Sequence, residues 1–327
     1  MRVLFVSSGN SKDGISPIVR NQGQSLINRG TKIIFFTING KGLFSYLKHI
    51  FILRNFLKLN NYEIIHAHYG FSGIVALMAK RKEKIIVSFM GDDLLGSVNE
   101  NGNTSVSSYF GTLVNKFLAK YFFDFNIVKS QNLKRTLFSK TESIVIPNGI
   151  NCSQFYPFDK IEARKALSIP LDQKIVLFAA NPFRLEKNYK LAEDALKLLP
   201  ESKIVIKTVY DVNQQILCEY YNASDVILLT SFHEGSPNVI KEAMACNSVI
   251  LSTDVGDVRQ NFQNAEGCFI CSFDPEDVAD NIELAIEFSN KYGHSNGRER
   301  ILELGLGSET VAQKIIEVYN KVLNPRI

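Results

Sequence analysis

The chain has 327 residues, too many for a single ordinary core, so two domains are expected. Hydrophobic residues make up 45% and charged residues 21%, the composition of a soluble globular protein. A net charge of +4 argues against nucleic acid, which calls for a concentrated basic stripe, but a local patch is enough for a phosphate-bearing ligand or a membrane surface.

Met1-Arg-Val-Leu-Phe-Val-Ser-Ser-Gly9 carries too short an apolar run for a signal peptide, and no stretch approaches the ~18 apolar residues of a spanning helix. A cytoplasmic protein is expected, at most peripheral to the inner face of the plasma membrane. Short apolar runs then predict strands at Val3–Val6, Ile33–Phe36, Glu63–His66, Ile85–Phe89, Phe125–Val128 and Ser143–Ile146. A second series falls at Ile175–Ala180, Lys203–Lys207, Val226–Leu229, Val249–Ser252 and Cys268–Cys271. Helical patterns lie between them, among them Val19–Asn28, Asn188–Leu199, Val239–Ala245 and Pro275–Phe288, with an amphipathic helix at Ser308–Leu323. Such alternation predicts parallel α/β sheets covered by helices, here two doubly wound domains. The turn-rich segment Pro147–Pro157 reads as the linker, and Gly96–Ser108, rich in Asn, Ser and Gly, as a mobile loop.

Among the cysteines Cys152, Cys218, Cys246, Cys268 and Cys271, only the last two are closely spaced, and no second pair or nearby histidine completes a zinc set. They read as reduced core thiols. Lys41–Lys58 mixes basic residues with Phe, Leu and Ile. Its apolar positions nearly encircle a helix, which favours burial in the core; the alternative is peripheral contact with an anionic membrane.

Ligands of open parallel sheets bind beyond the carboxyl ends of the strands. Ser231-Phe-His-Glu-Gly-Ser-Pro-Asn-Val-Ile-Lys-Glu-Ala-Met-Ala245 follows such an end. Gly235 permits a tight turn, Ser236 is placed to cap a helix, and Pro237 suits its first position. The helix start then offers amides to an anion. Glu234 precedes the helix, and Glu242 falls about a turn and a half inside it, roughly 8–9 Å along the axis. The bland alternative is a capped surface helix with two solvated glutamates. Asn181-Pro-Phe-Arg-Leu-Glu-Lys-Asn188 likewise follows a strand and opens a helix. Arg184 and Lys187 there oppose the helix dipole and make better sense with a phosphate, Arg as a fork and Lys as a point charge. The absence of Gly-x-Gly-x-x-Gly after the first strand argues against a nicotinamide dehydrogenase.

These two motifs resemble the family-4 retaining glycosyltransferases of the GT-B fold. The resemblance continues through Ser252-Thr-Asp-Val-Gly-Asp257, Gly267, Pro275 and Ile146-Pro-Asn-Gly-Ile150, with Phe155 and Pro157. It extends more loosely to Gly14-Ile-Ser-Pro17, Ile64-Ile-His-Ala-His-Tyr-Gly70 and Ser88-Phe-Met-Gly-Asp-Asp-Leu94. It implies two Rossmann-like domains facing a central cleft. Residues 1–155 would form the acceptor side and residues 156–307 the nucleotide-sugar side, with 308–323 packing back on the first domain.

By the same resemblance Arg184, Lys187 and Glu234 form the catalytic set: the two cations bind the donor diphosphate, and Glu234 holds donor-sugar hydroxyls. Glu242 holds the ribose, the amides of Ser236, Asn238 and Val239 touch phosphate, and Gly14 lets backbone approach it. Tyr210 is the candidate for the base, in a stretch shorter than the family's. Met90 stands where the family often has histidine, which leaves His68 as the nearest substitute; Asp92 is a further candidate for the sugars. His66 reads as buried packing and Asp93 as a brace for its loop. Asn247 and Val249 replace the family's usual Gly and Pro.

The implied reaction is transfer, with retention, of a hexosyl or N-acetylhexosaminyl group from a UDP- or GDP-linked sugar. The acceptor would be a saccharide or polyprenyl-linked glycan, in bacterial surface polysaccharide synthesis. Neither cofactor nor metal is called for, because cations and helix amides meet the diphosphate. A non-hydrolysing sugar-nucleotide 2-epimerase shares the fold, and an inactive partner subunit is the non-enzymatic alternative.

Overall fold

The computed structural model of the protein describes residues 1–40, 42–199 and 204–325. The described residues form two parallel sheets, one in each of two compact units. The first unit holds Met1–Ser97, Thr104–Gly149 and the segment from Ser308. Its strands are β1 (Arg2–Ser8), β2 (Lys32–Ile38), β3 (Ile64–His68), β4 (Lys84–Phe89), β5 (Phe125–Val128) and β6 (Ser143–Val145). Its helices are α1 (Pro17–Asn28), α2 (Leu43–Leu59), α3 (Gly70–Ala79), α4 (Asp92–Leu95), α5 (Val106–Tyr121) and α6 (Gln131–Thr136). The sheet order is β2-β1-β3-β4-β5-β6. The apolar runs are continuous because both faces of the sheet are covered. Leu53, Leu57, Val75, Ala76 and Phe123 pack on one face; Val19 and Leu26 pack on the other.

The second unit holds Val98–Asn103 and Ile150–Gly307. It runs α7 (Lys160–Ala166), β7 (Lys174–Phe178), α8 (Tyr189–Leu198), β8 (Ile204–Thr208), α9 (Gln214–Ala223), β9 (Val226–Leu229), α10 (Asn238–Ala245), β10 (Ile250–Thr253), α11 (Val258–Phe262), β11 (Cys268–Cys271), α12 (Pro275–Tyr292) and α13 (Gly297–Glu303). Its sheet order is β11-β10-β9-β7-β8. The last helix, α14 (Ser308–Leu323), belongs to the first unit, where Val311, Ile315 and Tyr319 join Val3, Phe5 and Ile127 in one core. His66 is buried and holds α14 to β3: its Nδ1 lies 2.6 Å from the Tyr319 hydroxyl and its Nε2 2.8 Å from Ser88 Oγ.

Several local expectations change. Lys203, the expected start of β8, and Lys41, the first residue of the aromatic-basic segment, lie outside the described residues. The expected loop Gly96–Ser108 ends earlier, because Ser105 caps α5 by accepting from Ser108 N, and Asn99 Oδ1 ties the loop by accepting from Asn101 N and Asn103 N. The segment 42–58 proves two-sided: Ile50, Leu53 and Leu57 are core, whereas Phe44, Phe51 and Ile52 are exposed. Cys268 and Cys271 are free thiols on the predicted strand. Asn247 takes a left-handed φ of 56°, which Asn tolerates where the family has Gly. Its side chain accepts from Arg298 N at 2.8 Å, starting α13.

Asp225 anchors the second unit beneath the sheet. Its carboxylate, 1% exposed, accepts from Lys160 Nζ (2.7 Å), Arg164 Nη2 (2.8 Å) and Ile175 N (2.7 Å). Burial pushes its pKa up, but Lys160, the Ile175 amide and Arg164 together hold it below the usual carboxylate value. A lowered folded-state pKa means stability that is present at neutral pH and lost as pH falls through the carboxylate range. Asp225→Ala strands Arg164 and should cost about 3–5 kcal/mol in urea unfolding at pH 7, with a smaller deficit below about pH 4. A loss under about 1 kcal/mol at pH 7 would show that the network does not anchor the unit.

Candidate active site

The chain leaves β7 for β8 on one side and returns to β9 on the other, so β7 and β9 are neighbours whose outgoing loops diverge. That reversal is where open α/β sheets bind ligands. Two loops meet there. The loop after β7 ends in a short 3₁₀ turn, Leu185–Lys187, and Asn188 at φ 49° then turns the chain into α8. The loop after β9 carries Thr230–Pro237.

Lys187 Nζ lies 2.5 Å from Glu234 Oε1, and Ser231 Oγ donates to the same oxygen at 2.9 Å. The backbones are stitched as well. Thr230 Oγ1 donates to the carbonyls of Lys187 and Asn188 at 3.1 and 2.9 Å, and Phe232 N donates to Glu186 O at 2.9 Å. Lys187 and Glu234 side chains are only 13% and 15% exposed, whereas Arg184 is 54% exposed and pairs with Glu186. The structure thus brings two of the three residues expected to act on the donor, Lys187 and Glu234, into contact, with Arg184 on the same loop as Lys187. It also corrects their setting. Left-handed Asn188 separates the two cations from the first turn of α8, so glutamates, not the helix dipole, are their counterparts.

A second correction concerns Ser236. α10 starts at Asn238 with Pro237 as its cap residue, and no side chain caps it. Ser236 Oγ instead donates to Asp257 Oδ2 at 2.7 Å. Asp257 is buried, which raises its pKa and favours this hydrogen-bonded arrangement over solvent. The first amides of α10, around Asn238 and Val239, lack intrahelical partners and remain an anion site. Asn238 Oδ1 is buried with no hydrogen-bond partner among the described residues. Gly256 explains how the turn is held so closely. Its φ is +61°, and a Cβ there would meet Gly235 O at 2.9 Å and Glu234 O at 3.2 Å. Backbone packs on backbone beneath Glu234, a requirement that becomes visible only in three dimensions.

Glu242 lies on α10 and accepts from the Tyr221 hydroxyl of α9 at 2.9 Å. Some of its surface reaches solvent, yet protein surrounds the carboxyl, and desolvation raises its pKa to about 6. Tyr221 is fully buried. Nothing in the sequence marks it, since its role depends on the packing of two helices. Tyr210 is exposed two residues past β8, on the same sheet edge and one strand from Lys187. Phe183, beside Arg184, is a further exposed aromatic on that edge that the motifs did not single out.

Gly14, His68 and Asp92 lie in the first unit, at or just beyond the carboxyl ends of β1, β3 and β4. Gly14 has φ +79° and closes a turn by donating to Ser11 O at 2.8 Å. His68 is buried against His66 and Phe5, with ring centroids 4.5 Å away in each case. Burial and the Lys129 charge push its pKa down to about 3, so the ring is neutral. Neither of its nitrogens has a hydrogen-bond partner among the described residues. Asp93 braces its loop: it accepts from Met90 N, Gly91 N and Gly70 N at 3.0–3.1 Å. Asp92, next to it, is only partly covered in the first turn of α4.

Known proteins resemble this chain in sequence and fold. The family model described as "Glycosyl transferases group 1" matches residues 172–287, and that described as "Glycosyl transferase 4-like" matches residues 15–135. The chain belongs to the group 1 glycosyltransferases of the GT-B fold, and it is an enzyme of that class. A Bacillus subtilis protein named for teichuronic acid biosynthesis glycosyltransferase activity is 32% identical over 37% of this chain and 36% of its own length. An N,N'-diacetylbacillosaminyl-diphospho-undecaprenol alpha-1,3-N-acetylgalactosaminyltransferase of Campylobacter jejuni is 23% identical over 92% of this chain and 88% of its own. Among solved structures, sucrose-phosphate synthase of Thermosynechococcus elongatus superposes with a TM-score of 0.84 at 19% identity, covering 99% of this chain and all of that one. Anabaena HepE in complex with UDP-glucose gives 0.74 at 15% identity over 98% of this chain and 100% of its own.

Glu242 supplies a test of the site's cost to the fold. A raised folded-state pKa means that its contribution favours folding below the ordinary carboxylate range and turns against it as pH rises through about 6. Glu242→Gln should therefore stabilise the protein at pH 7.5 by about 1 kcal/mol and should not stabilise it at pH 4.5. Equal urea midpoints for the two proteins at both pH values would rule out a strained carboxylate.

Proposed function

We propose that the protein transfers a glycosyl group from a nucleoside-diphosphate sugar, UDP- or GDP-linked, to a saccharide or polyprenyl-linked acceptor, with retention at the anomeric carbon. The observation that carries this reading is the Lys187–Glu234–Ser231 cluster where the strand order reverses, beside the open amides of α10. Lys187 is paired with Glu234. A diphosphate seated at α10 competes for Lys187 and frees Glu234 to accept from sugar hydroxyls. Arg184, already half exposed, adds a bidentate fork. Glu242 accepts from a ribose hydroxyl once Tyr221 and burial have oriented it.

The bond from the anomeric carbon to the phosphate oxygen breaks as the acceptor oxygen bonds to that carbon from the same face. The acceptor proton passes to a phosphate oxygen of the departing nucleotide. Negative charge grows on that phosphate, and Lys187, Arg184 and the amides stabilise it more than the ground state. With the charge met in this way, the reaction is proposed to run without metal. Relatives named for teichuronic acid biosynthesis and for N-acetylgalactosaminyl transfer to an N,N'-diacetylbacillosaminyl-diphospho-undecaprenol support a role in bacterial surface polysaccharide assembly.

Lys187→Ala and Glu234→Gln should each lower kcat by about 10²–10³-fold, and Arg184→Ala by less, with thermal unfolding little changed. Near-normal turnover in all three variants rejects the site. The nucleotide is identified by thermal shift with UDP, GDP and ADP sugars, because a bound ligand raises apparent stability. The anomeric coupling constant of the product, read by NMR, tests retention. EDTA should leave the rate unchanged; loss of activity restored by a divalent cation would overturn metal independence.

A further inference from the structure

We infer that the outer surface of α2, α3 and α5 is a docking face for an anionic lipid bilayer. This deepens the acceptor half of the proposed function and stands independently of the donor site. The three helices cover one face of the first unit's sheet and share its core, which contains Leu53 of α2, Val75 of α3 and Ala119 of α5. Tyr46 and Phe71 pack together across α2 and α3, their rings 5.5 Å apart. Gly70 of α3 lies against Asn115 of α5, where a Cβ would come within 2.4 Å of the amide. The outward side of this layer is unusually apolar: Phe44 is 89% exposed, Phe51 and Phe110 each 70%, and Leu59, Met78 and Tyr121 are also exposed.

The charge on the layer has a single sign. α2 carries Lys48, Arg54 and Lys58, α5 carries Lys116 and Lys120, and none of the three helices contains an aspartate or glutamate. Glu83 and Asp124, beside the layer, are already engaged, Glu83 by the amides of Arg81 and Lys82 and Asp124 by Lys80 and Lys84. Exposed aromatics with basic residues and no acids are the composition of a helix surface that lies in a headgroup layer. Lysine and arginine stems reach outward to phosphates while the rings enter the acyl boundary. No helix among the described residues is long and apolar enough to cross the membrane, so the contact lies on the surface. A second copy of the chain fits this face poorly. A two-fold interface sets the same patch against itself, cation against cation.

Flotation of the full chain with phosphatidylcholine vesicles, with and without phosphatidylglycerol, tests the inference. The protein should float with the anionic vesicles, less in 0.5 M salt, where charges are screened beyond about 4 Å, and hardly at all with phosphatidylcholine alone. Phe44→Ser/Phe51→Ser/Phe110→Ser and Lys48→Glu/Arg54→Glu/Lys58→Glu should each cut partitioning at least about tenfold. Both should retain transfer to a soluble acceptor, which separates loss of docking from misfolding and from failure of the donor site. Absence of flotation by the wild type, or flotation of both variants like the wild type, overturns the inference. So does a dimer in light scattering that the serine variant splits while vesicles bind nothing, since the occupant would then be a second copy.

Discussion

Lys187 and Glu234 meet because β7 and β9 are adjacent strands whose outgoing chains part in opposite directions. A parallel sheet leaves a crevice at such a reversal, and whatever leaves the two strand ends must line it. The rest of the site follows from this constraint. Thr230 and Phe232 bind the backbone of the preceding loop, which fixes where Lys187 emerges. β10, on the far side of β9, contributes Thr253, whose hydroxyl donates to Ser231 O at 2.9 Å, and then Gly256, whose backbone supports the Glu234–Gly235 turn. The cation and the carboxylate are thus fixed by main-chain contacts, not by their attraction for each other. This arrangement allows a ligand to replace one partner without the loops collapsing.

The fold was legible because each strand is a short, nearly unbroken apolar run, and because both sheets are covered on two faces. Phe125–Val128, Val226–Leu229 and Cys268–Cys271 appear with the bounds their composition implies. Arg184, Lys187 and Glu234 were legible because charged residues just past buried strands have little structural reason to be there, and Glu242 because it keeps its spacing from Glu234 along the helix that follows. What sequence could not show was partnership. Ser236 looked like a cap because it precedes Pro237, but a buried acceptor at Asp257, twenty-one positions away, outcompetes the helix amides for its hydroxyl. Tyr221 meets Glu242 only through the packing of α9 on α10. Asn188 adopts the left-handed conformation that moves Lys187 out of the helix, and no local pattern marks it apart from other asparagines.

Ionisable groups near the strand ends differ between the two units. In the second unit Glu234 is paired with a cation, and Glu242 is held in a poorly solvated position with its pKa raised to about 6. In the first unit, His66 and His68 are buried, stacked on each other and driven toward the neutral form by burial, with Lys129 adding to the effect. His66 is fully occupied by Tyr319 and Ser88, which makes it part of the attachment of α14. Asp93 is spent in the same structural way on three backbone amides. Asp93 therefore shapes a loop of the first unit, as Asp225 anchors the second, whereas Glu234 stands where the strand order of the second sheet reverses.

That division bears on the surface of α2. Residues 43–59 contain apolar side chains on nearly every side, a pattern that composition alone cannot divide between core and interface. The sheet makes the division. Its width leaves room for one face of the helix, so Leu53 and Leu57 are buried and Phe44 and Phe51 face outward. A helix that needed only to cover the sheet would carry polar residues on its far side, as α12 and α14 do with Glu283, Glu287 and Glu317. α2 and α5 instead repeat the combination of aromatics and basic residues on separate stretches of chain. Stability does not require the same combination twice on one face, and exposure of apolar rings opposes solubility. The surface is accounted for by a partner that takes up rings and cations together, and an anionic bilayer does both.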